Sequence, residues 1–204
     1  MMRLVVVVFC LIGMIGTCVF SASNASYKTT LLDILPGSIS SYAVHINDIG
    51  QVVGVCEFAN RSRHAVLWQN GKTTDLGTLP GGLSSYVTDI NSMGQVVGVS
   101  ELADGSEHAF LWQNGKITDL GTLSGDKISY AAGINDKGMV IGVSTAPNGI
   151  KRAVLWHKGK ISKLSILPKC KWSCAQDINN DNQIIGYIRM LMTLTMPFCG
   201  RMAR

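Results

Sequence analysis

The sequence predicts an all-β fold of four-stranded antiparallel meander blades, arranged as a partial β-propeller. Two observations lead to this prediction: the chain repeats itself every 44 residues, and turn residues divide each repeat into four short strands. Propeller blades have repeats of roughly 40 to 45 residues, which matches this period. A β-solenoid is the alternative, although solenoid repeats are usually shorter and lack paired hairpin turns.

Several residue types carry the 44-residue register at once, without insertions. An asparagine, a glycine, an alanine and a tryptophan each recur at a fixed place. The aligned residues are Asn47, Asn91, Asn135 and Asn179; Gly54, Gly98, Gly142 and Gly186; Ala65, Ala109 and Ala153; and Trp68, Trp112 and Trp156. Residues 26–188 are therefore predicted to form one β-repeat domain of about three and a half repeats.

The second repeat shows the four strands most clearly, as SYVTDI, QVVGVSEL, HAFLWQ and KITDLGTL. These segments are rich in β-branched and aromatic residues, which favour strands. The third and fourth are joined by Asn114-Gly115, and Asn-Gly is the strongest short signal for a β-hairpin. Loops rich in glycine and proline, such as LPGG from Leu79 to Gly82, lead from one blade to the next.

The segments HAFLWQNGK, TDLGTL and INxxGQVVGVS resemble the HAF repeat of bacterial extracellular proteins. The motif is intact at His108 to Phe110, and reads HAV at His64 to Val66 and RAV at Arg152 to Val154. The resemblance covers residues 31 to about 188. It implies an exported β-repeat protein, and it brings no catalytic residues to carry over.

The N-terminus has the pattern of a secretory signal peptide over residues 1–25. Arg3 precedes an apolar run from Leu4 to Phe20, and small residues follow, so cleavage is expected after Ala22 or Ala25. The mature chain is then secreted, extracellular or periplasmic. The alternative is an uncleaved anchor, in which residues 4–20 alone contact the membrane.

The net charge of +5 does not indicate a nucleic-acid partner. Four basic residues lie in the two chain ends, and the body between them carries nearly equal numbers of basic and acidic residues. Three cysteines lie in that body: Cys56, Cys170 and Cys174. Cys170 and Cys174 could form a local disulfide or remain free thiols in a loop.

The recurrent tryptophans are interpreted as core residues packed between sheets rather than as a ladder that stacks ligands. The recurrent glycines lie inside apolar strands, where glycine weakens the strand unless another group comes close. We expect each glycine to receive a bulky side chain from the adjacent blade.

No catalytic residue, metal ligand or cofactor site is assigned from the sequence. His64 and His108 share one repeat position, His45 and His157 stand alone, and motifs for hydrolysis, zinc or phosphate binding are absent from the sequence. Asp177, Asn179 and Asp181 alternate as at the start of a calcium loop, but the twelfth position is Ile188 instead of an acid.

The loops on one face of the predicted blades vary between repeats, whereas the turns on the other face hardly change. The variable segments are residues 57–63, 101–107, 145–151, 81–85, 125–129 and 169–173. Rigid repeat scaffolds commonly bind through such loops. The sequence therefore favours a non-enzymatic binding or interaction scaffold for an extracellular protein or glycan. The alternatives are an enzyme framed on a propeller and the remnant of a decayed gene.

Residues 189–204 leave the repeat and are interpreted as a frameshifted tail, so that the protein is a truncated product. Reading the codons one base earlier forces alanine, leucine and glycine at positions 197, 199 and 203, as the repeat requires, and permits HAFLW from position 196.

The frameshift hypothesis predicts the genomic sequence beyond codon 180. Resequencing this DNA should show HAFLW in the earlier frame, followed by further 44-residue repeats. A stop codon or immediate loss of the period in that frame would contradict the hypothesis.

Overall fold

The computed structural model describes residues 28–165, 167–168, 170–190 and 195–201. These residues form four antiparallel sheets, each with its strands in chain order, and contain no helices. The predicted signal peptide, residues 1–25, lies outside the described part of the chain. Among the residues described, no helix is long and apolar enough to span a membrane.

Each sheet is one 44-residue repeat. Blade 1 contains β1 (Ser38–Ile46), β2 (Val52–Phe58), β3 (Arg63–Gln69) and β4 (Lys72–Asp75). Blade 2 contains β5 (Ser85–Ile90), β6 (Val96–Glu101), β7 (Glu107–Gln113) and β8 (Lys116–Asp119), and blade 3 contains β9 (Ile128–Ile134), β10 (Val140–Thr145), β11 (Lys151–His157) and β12 (Lys160–Lys163). Blade 4 contains β13 (Cys170–Ile178), β14 (Gln183–Met190) and β15 (Thr195–Arg201). The predicted meander blades are confirmed.

Blade 4 has one strand more than the half repeat we expected, because β15 pairs with β14. Phe198 lies opposite Gly186, just as Phe110 lies opposite Gly98 in blade 2. An antiparallel ladder is made by backbone groups, so a segment of unrelated sequence can complete it. The frameshift hypothesis concerns the gene and stays a prediction.

The first strand of each blade is the innermost, since β1, β5, β9 and β13 contact one another from blade to blade. Apolar side chains fill the space between consecutive sheets. Between blades 1 and 2, for example, Val53 and Val55 pack with Ile90 and Phe110. The core is therefore a series of layers between blades.

Trp112 and Trp156 pack in these layers, which confirms their interpretation as core residues between sheets. Trp156 is 3% exposed and packs with Ala109 of the preceding blade, and Trp112 packs against the layer between blades 1 and 2. Trp68 is 4% exposed on the other face of blade 1, where its indole N–H donates to Asp33 O at 2.6 Å.

The glycines have a different neighbour from the one we expected. A Cβ on Gly98 would lie only 1.9 Å from Tyr86 O and 2.9 Å from the Phe110 ring. Both residues belong to the same blade as the glycine, so the expectation of a side chain from the adjacent blade is wrong. The first strand of the blade passes so close to the second that its carbonyl occupies the space of a Cβ.

Two repeated sets of hydrogen bonds join consecutive blades. The hydroxyl of Ser85 accepts the N–H of Ala65 at 2.9 Å and donates to Gly77 O at 2.7 Å. Ser129 and Ser173 likewise accept the N–H groups of Ala109 and Ala153.

The second set is an asparagine ladder. The Asn91 Oδ1 accepts the N–H groups of Met93 and Gln95 within its own turn, and its Nδ2 donates to Asn135 O at 3.0 Å. Asn47 and Asn135 donate in the same way to Asn91 and Asn179. Each asparagine thus shapes one turn and fastens it to the next blade.

The asparagine ladder predicts that substitutions at two equivalent asparagines lower the free energy of unfolding by different amounts. Asn91→Ala removes the turn bonds and the bond to blade 3, whereas Asn179→Ala removes the same turn bonds and has no ladder bond to lose within the described residues. We expect Asn91→Ala to lower the free energy of unfolding by about 1 to 3 kcal/mol more than Asn179→Ala. Chemical denaturation at concentrations where the chain is monomeric measures the difference, and equal losses of stability would contradict a stabilising role for the ladder.

Candidate binding site at the blade axis

A β-bulge interrupts the first strand of every blade shortly before the turn. The register shifts between Ala43 and His45, between Val87 and Asp89, and between Ala175 and Asp177, with an equivalent shift opposite Ile141 and Gly142 in blade 3. Because a bulge adds one residue, it re-aims the side chains that follow. Positions 45, 89, 133 and 177 come together in this way.

These four positions hold His45, Asp89, Gly133 and Asp177, and all but Gly133 line an open polar cleft of about 380 Å³. The His45 Nε2 lies 3.4 Å from the Asp89 Oδ1. Gly133 leaves space between the two carboxylates, because a Cβ there would lie 3.6 Å from an oxygen of each. The cleft is thus lined by residues from four blades, which we call the axial cleft.

Asp89 is the most constrained group of the axial cleft. Its Oδ1 accepts the N–H of Ile90 and its Oδ2 accepts the N–H of Ile134 in the next blade, both at 2.8 Å. Burial raises the pKa of Asp89, while these bonds and His45 oppose the rise. Protonation of Asp89 is therefore more favourable in the folded than in the unfolded chain, and its contribution to stability is lost as the pH rises through the raised pKa.

The alternating acidic motif of blade 4 forms a turn. Asp177 Oδ1 accepts the N–H of Ile178, and Asn179 Oδ1 accepts the N–H groups of Asp181 and Gln183. Backbone donors thus occupy one oxygen of Asp177 and the side-chain oxygen of Asn179, two of the atoms that a calcium loop would direct at its ion. Over the described ranges, no group of three His, Cys, Asp or Glu side chains is placed to hold a metal ion.

The variable loops emerge at the opposite end of the strands and are shorter than predicted. Arg63, Glu107 and Lys151 already belong to strands, as do Ser85, Ile128 and Cys170. The remaining turns are closed by their own side chains: Asn60, Asp104 and Asn148 each accept the N–H two residues later. A hollow of about 370 Å³ on this face is lined by blade 1 alone, from Phe58 to His64.

The histidines that share a repeat position join strands within their own blades. His64 Nδ1 lies 2.8 Å from Asp75 Oδ2, and His108 Nδ1 lies 2.9 Å from Asp119 Oδ2. Blade 3 has Arg152 in place of the histidine. Each pair connects a third strand to its edge strand, which accounts for both histidines structurally, and His157 ends β11.

The cysteines are free thiols in the described structure. Cys170 and Cys174 lie four residues apart on one extended strand, β13, rather than in the loop we expected. This spacing separates them by about 13 Å, well beyond the reach of a disulfide. Cys56 is buried in blade 1.

Sequence reasoning placed recognition on the variable loops and missed the axial cleft. A signal was present, since the residue two before the ladder asparagine changes between blades while the isoleucine and the asparagine that follow it stay constant. The bulge that turns this residue toward the axis leaves no comparable mark in the sequence.

The fold is similar to that of a solved β-propeller. The chain matches the β-propeller domain of the Trilobed protease from Pyrococcus furiosus with a TM-score of 0.54 and 14% identity, over 78% of this chain and 48% of that one. A mutant of AofleA from Arthrobotrys oligospora matches with a TM-score of 0.43 and 15% identity, over 79% of this chain and 53% of that one. The chain thus spans about half the length of each. The protein has a partial β-propeller fold.

No protein-family model and no curated protein matches the sequence.

Proposed function

We propose that this chain is an exported, non-enzymatic binding scaffold of the HAF-repeat type, with an extracellular protein or glycan as its partner. One observation carries the proposal: the frame of the blades is repeated, while the axial position holds three different residue types in the four blades. His45, Asp89, Gly133 and Asp177 occupy one repeat position in four otherwise similar units.

The frame around the axial cleft is rigid enough to hold these side chains in place. The asparagine ladder fixes the rim of the cleft, and the Asp89 carboxylate links blade 2 to blade 3 through Ile134. Preorganised polar groups lose little conformational entropy when a ligand binds. A cleft with a few convergent polar groups is the usual form of a binding site.

The chemistry of the cleft favours a partner rich in hydrogen-bond donors. Asp89 and Asp177 are acceptors, and Gly133 leaves room between them. Glycan hydroxyls and amino groups of proteins are suitable donors for carboxylates. The variable loops are the competing surface, but their turns are tight and their hollow is lined by one blade only.

The proposal includes an intact protein with more blades than this chain, of which the present sequence is a truncated product. The codon pattern after residue 188 supports this part of the proposal.

Binding to glycan and extracellular-protein arrays tests the function. Residues 26–204 should bind a specific partner, and the variant Asp89→Asn with Asp177→Asn should weaken that binding at least about tenfold, since each lost charged hydrogen bond weakens binding severalfold or more. Each asparagine keeps one acceptor oxygen, for the N–H of Ile90 or of Ile178, but Asp89→Asn loses the acceptor for the N–H of Ile134, so thermal melting checks that the fold is retained.

A matched control replaces the turn residues 103–106, ADGS, by ANRS from residues 59–62. Binding should be unchanged in this variant. Loss of binding in the turn variant with retention in the aspartate variant would move recognition to the variable loops. Absence of any partner would contradict the proposed function.

A further inference from the structure

We propose that two copies of this chain associate head to tail, with the outer face of blade 4 in one copy packed on the outer face of blade 1 in the other. The blade-4 face comprises Ile185, Tyr187 and Cys199, and the blade-1 face comprises Ala43, Ile46 and Val52. Both names refer to these residues below.

The blade-4 face exposes residues that belong to a core layer. Ile185 is 48% exposed, whereas Val53, Val97 and Ile141 at the same repeat position are 0% exposed. In blades 1 to 3 this position is covered by the next blade, as Ile141 is by Ala175 and Ile178. No described residue covers Ile185 in the same way.

The blade-1 face lacks the preceding blade that covers the equivalent residues of the other blades. Ile46 is 43% exposed, whereas Ile90, Ile134 and Ile178 are 3%, 5% and 6% exposed against the preceding blade. An apolar groove of about 310 Å³ runs along Ala43 to Ile46 and Val52. Ile185 of one copy and Ile46 of the second copy would thus meet as Val53 and Ile90 meet between blades 1 and 2.

The blade-1 face also retains the connecting segment that every blade interface contains. Leu32 and Leu35 pack with Val66 and Trp68 on the outer part of this face. The equivalent leucines, Leu76 and Leu79, lie in the layer between blades 1 and 2. The face is therefore built to receive a preceding blade, and only the inner groove is open.

The polar contacts between blades end with matching groups on the two faces. Asn47, Asn91 and Asn135 each donate to the next blade, and Asn179 is the fourth asparagine of this ladder. Its Nδ2 donates to Gln183 within its own turn. In the proposed dimer, Asn47 O of the second copy would accept from Asn179 and continue the ladder. The N–H of Asp136 donates to Asn180 Oδ1, and Asn180 N–H would donate likewise to Asp48 of the second copy.

One kind of hydrogen bond that joins consecutive blades, from an alanine N–H to a serine hydroxyl, cannot form between the two copies. Ala65, Ala109 and Ala153 donate their N–H groups to the serine of the next blade, but the equivalent residue in blade 4 is Pro197, which has no N–H. This proline fits the edge strand because the equivalent alanines direct their N–H groups to the next blade. Ser41 of the second copy would remain without its donor.

The association is heterologous, since two different faces meet, and such contacts form a closed ring when the rotation allows it. The chain aligns with 48% of a solved propeller chain, so two copies supply about as many blades as one ring needs. We therefore expect a closed dimer with two equal interfaces and with the two axial clefts around one axis.

Light scattering and sedimentation of residues 26–204 over a range of concentrations test the association. The wild-type chain should be a dimer, and Ile46→Lys or Ile185→Lys alone should be monomeric, because a charge then lies in both interfaces. An equimolar mixture of the two variants should recover a dimer, since one of its interfaces is free of both lysines. Leu83→Lys, at a residue 71% exposed outside both faces, should leave the dimer intact.

Pro197→Ala restores the N–H for Ser41 of the second copy and should lower the dissociation constant about fivefold or more. Added Ser41→Ala should cancel this gain. Thermal melting verifies that the lysine variants remain folded. A monomeric wild-type chain, a mixture that stays monomeric, or equal disruption by Leu83→Lys would overturn the proposal.

Discussion

The close contact between the first and second strands of each blade is the constraint on which the rest of this structure depends. The carbonyl oxygens of Tyr42, Tyr86, Tyr130 and Cys174 each lie about where a Cβ would stand on the glycine of the second strand. Only glycine allows this approach. The first strand can then bulge over the second, and the bulge directs the following side chain toward the axis.

This local geometry divides the repeat into residues that build the scaffold and residues that are free to differ. Side chains on the two faces of each sheet form the layers between blades, so they are apolar in every repeat. The serine and asparagine bonds satisfy backbone groups between the sheets, where an unpaired group costs stability. The axial position lies outside the apolar layers, and of its four residues in the described structure Asp89 alone accepts a backbone N–H of the next blade, so the position can hold His45, Asp89, Gly133 and Asp177 in turn.

The features that could be predicted from sequence have local causes. Asn70 and Asn114 have φ of 52°, and Asn182, which replaces the turn glycine of the other repeats, has φ of 62°. These positive values are what the turn residues predicted. The strands between the turns follow from their β-branched and aromatic residues, and the tryptophan layers follow from the repeat.

The features that could not be predicted depend on contacts between distant residues or on the backbone alone. The bulges lie within segments that read as regular strands. β15 joins blade 4 although its sequence lacks the repeat, because Phe198 takes the place of Phe110 beside the glycine and the ladder needs only backbone groups. The axial cleft follows from the bulges, so it was missed with them.

Stability of two glycine variants tests the central role of the close contact most directly. Gly98→Ala places a Cβ 1.9 Å from a carbonyl oxygen, whereas Gly133→Ala, in a first strand, meets nothing nearer than 3.6 Å. Denaturation should show that Gly98→Ala loses at least about 2 kcal/mol of unfolding free energy, as overpacking does. Gly133→Ala should change it by less than about 0.5 kcal/mol. Equal stability of the two variants would contradict the account.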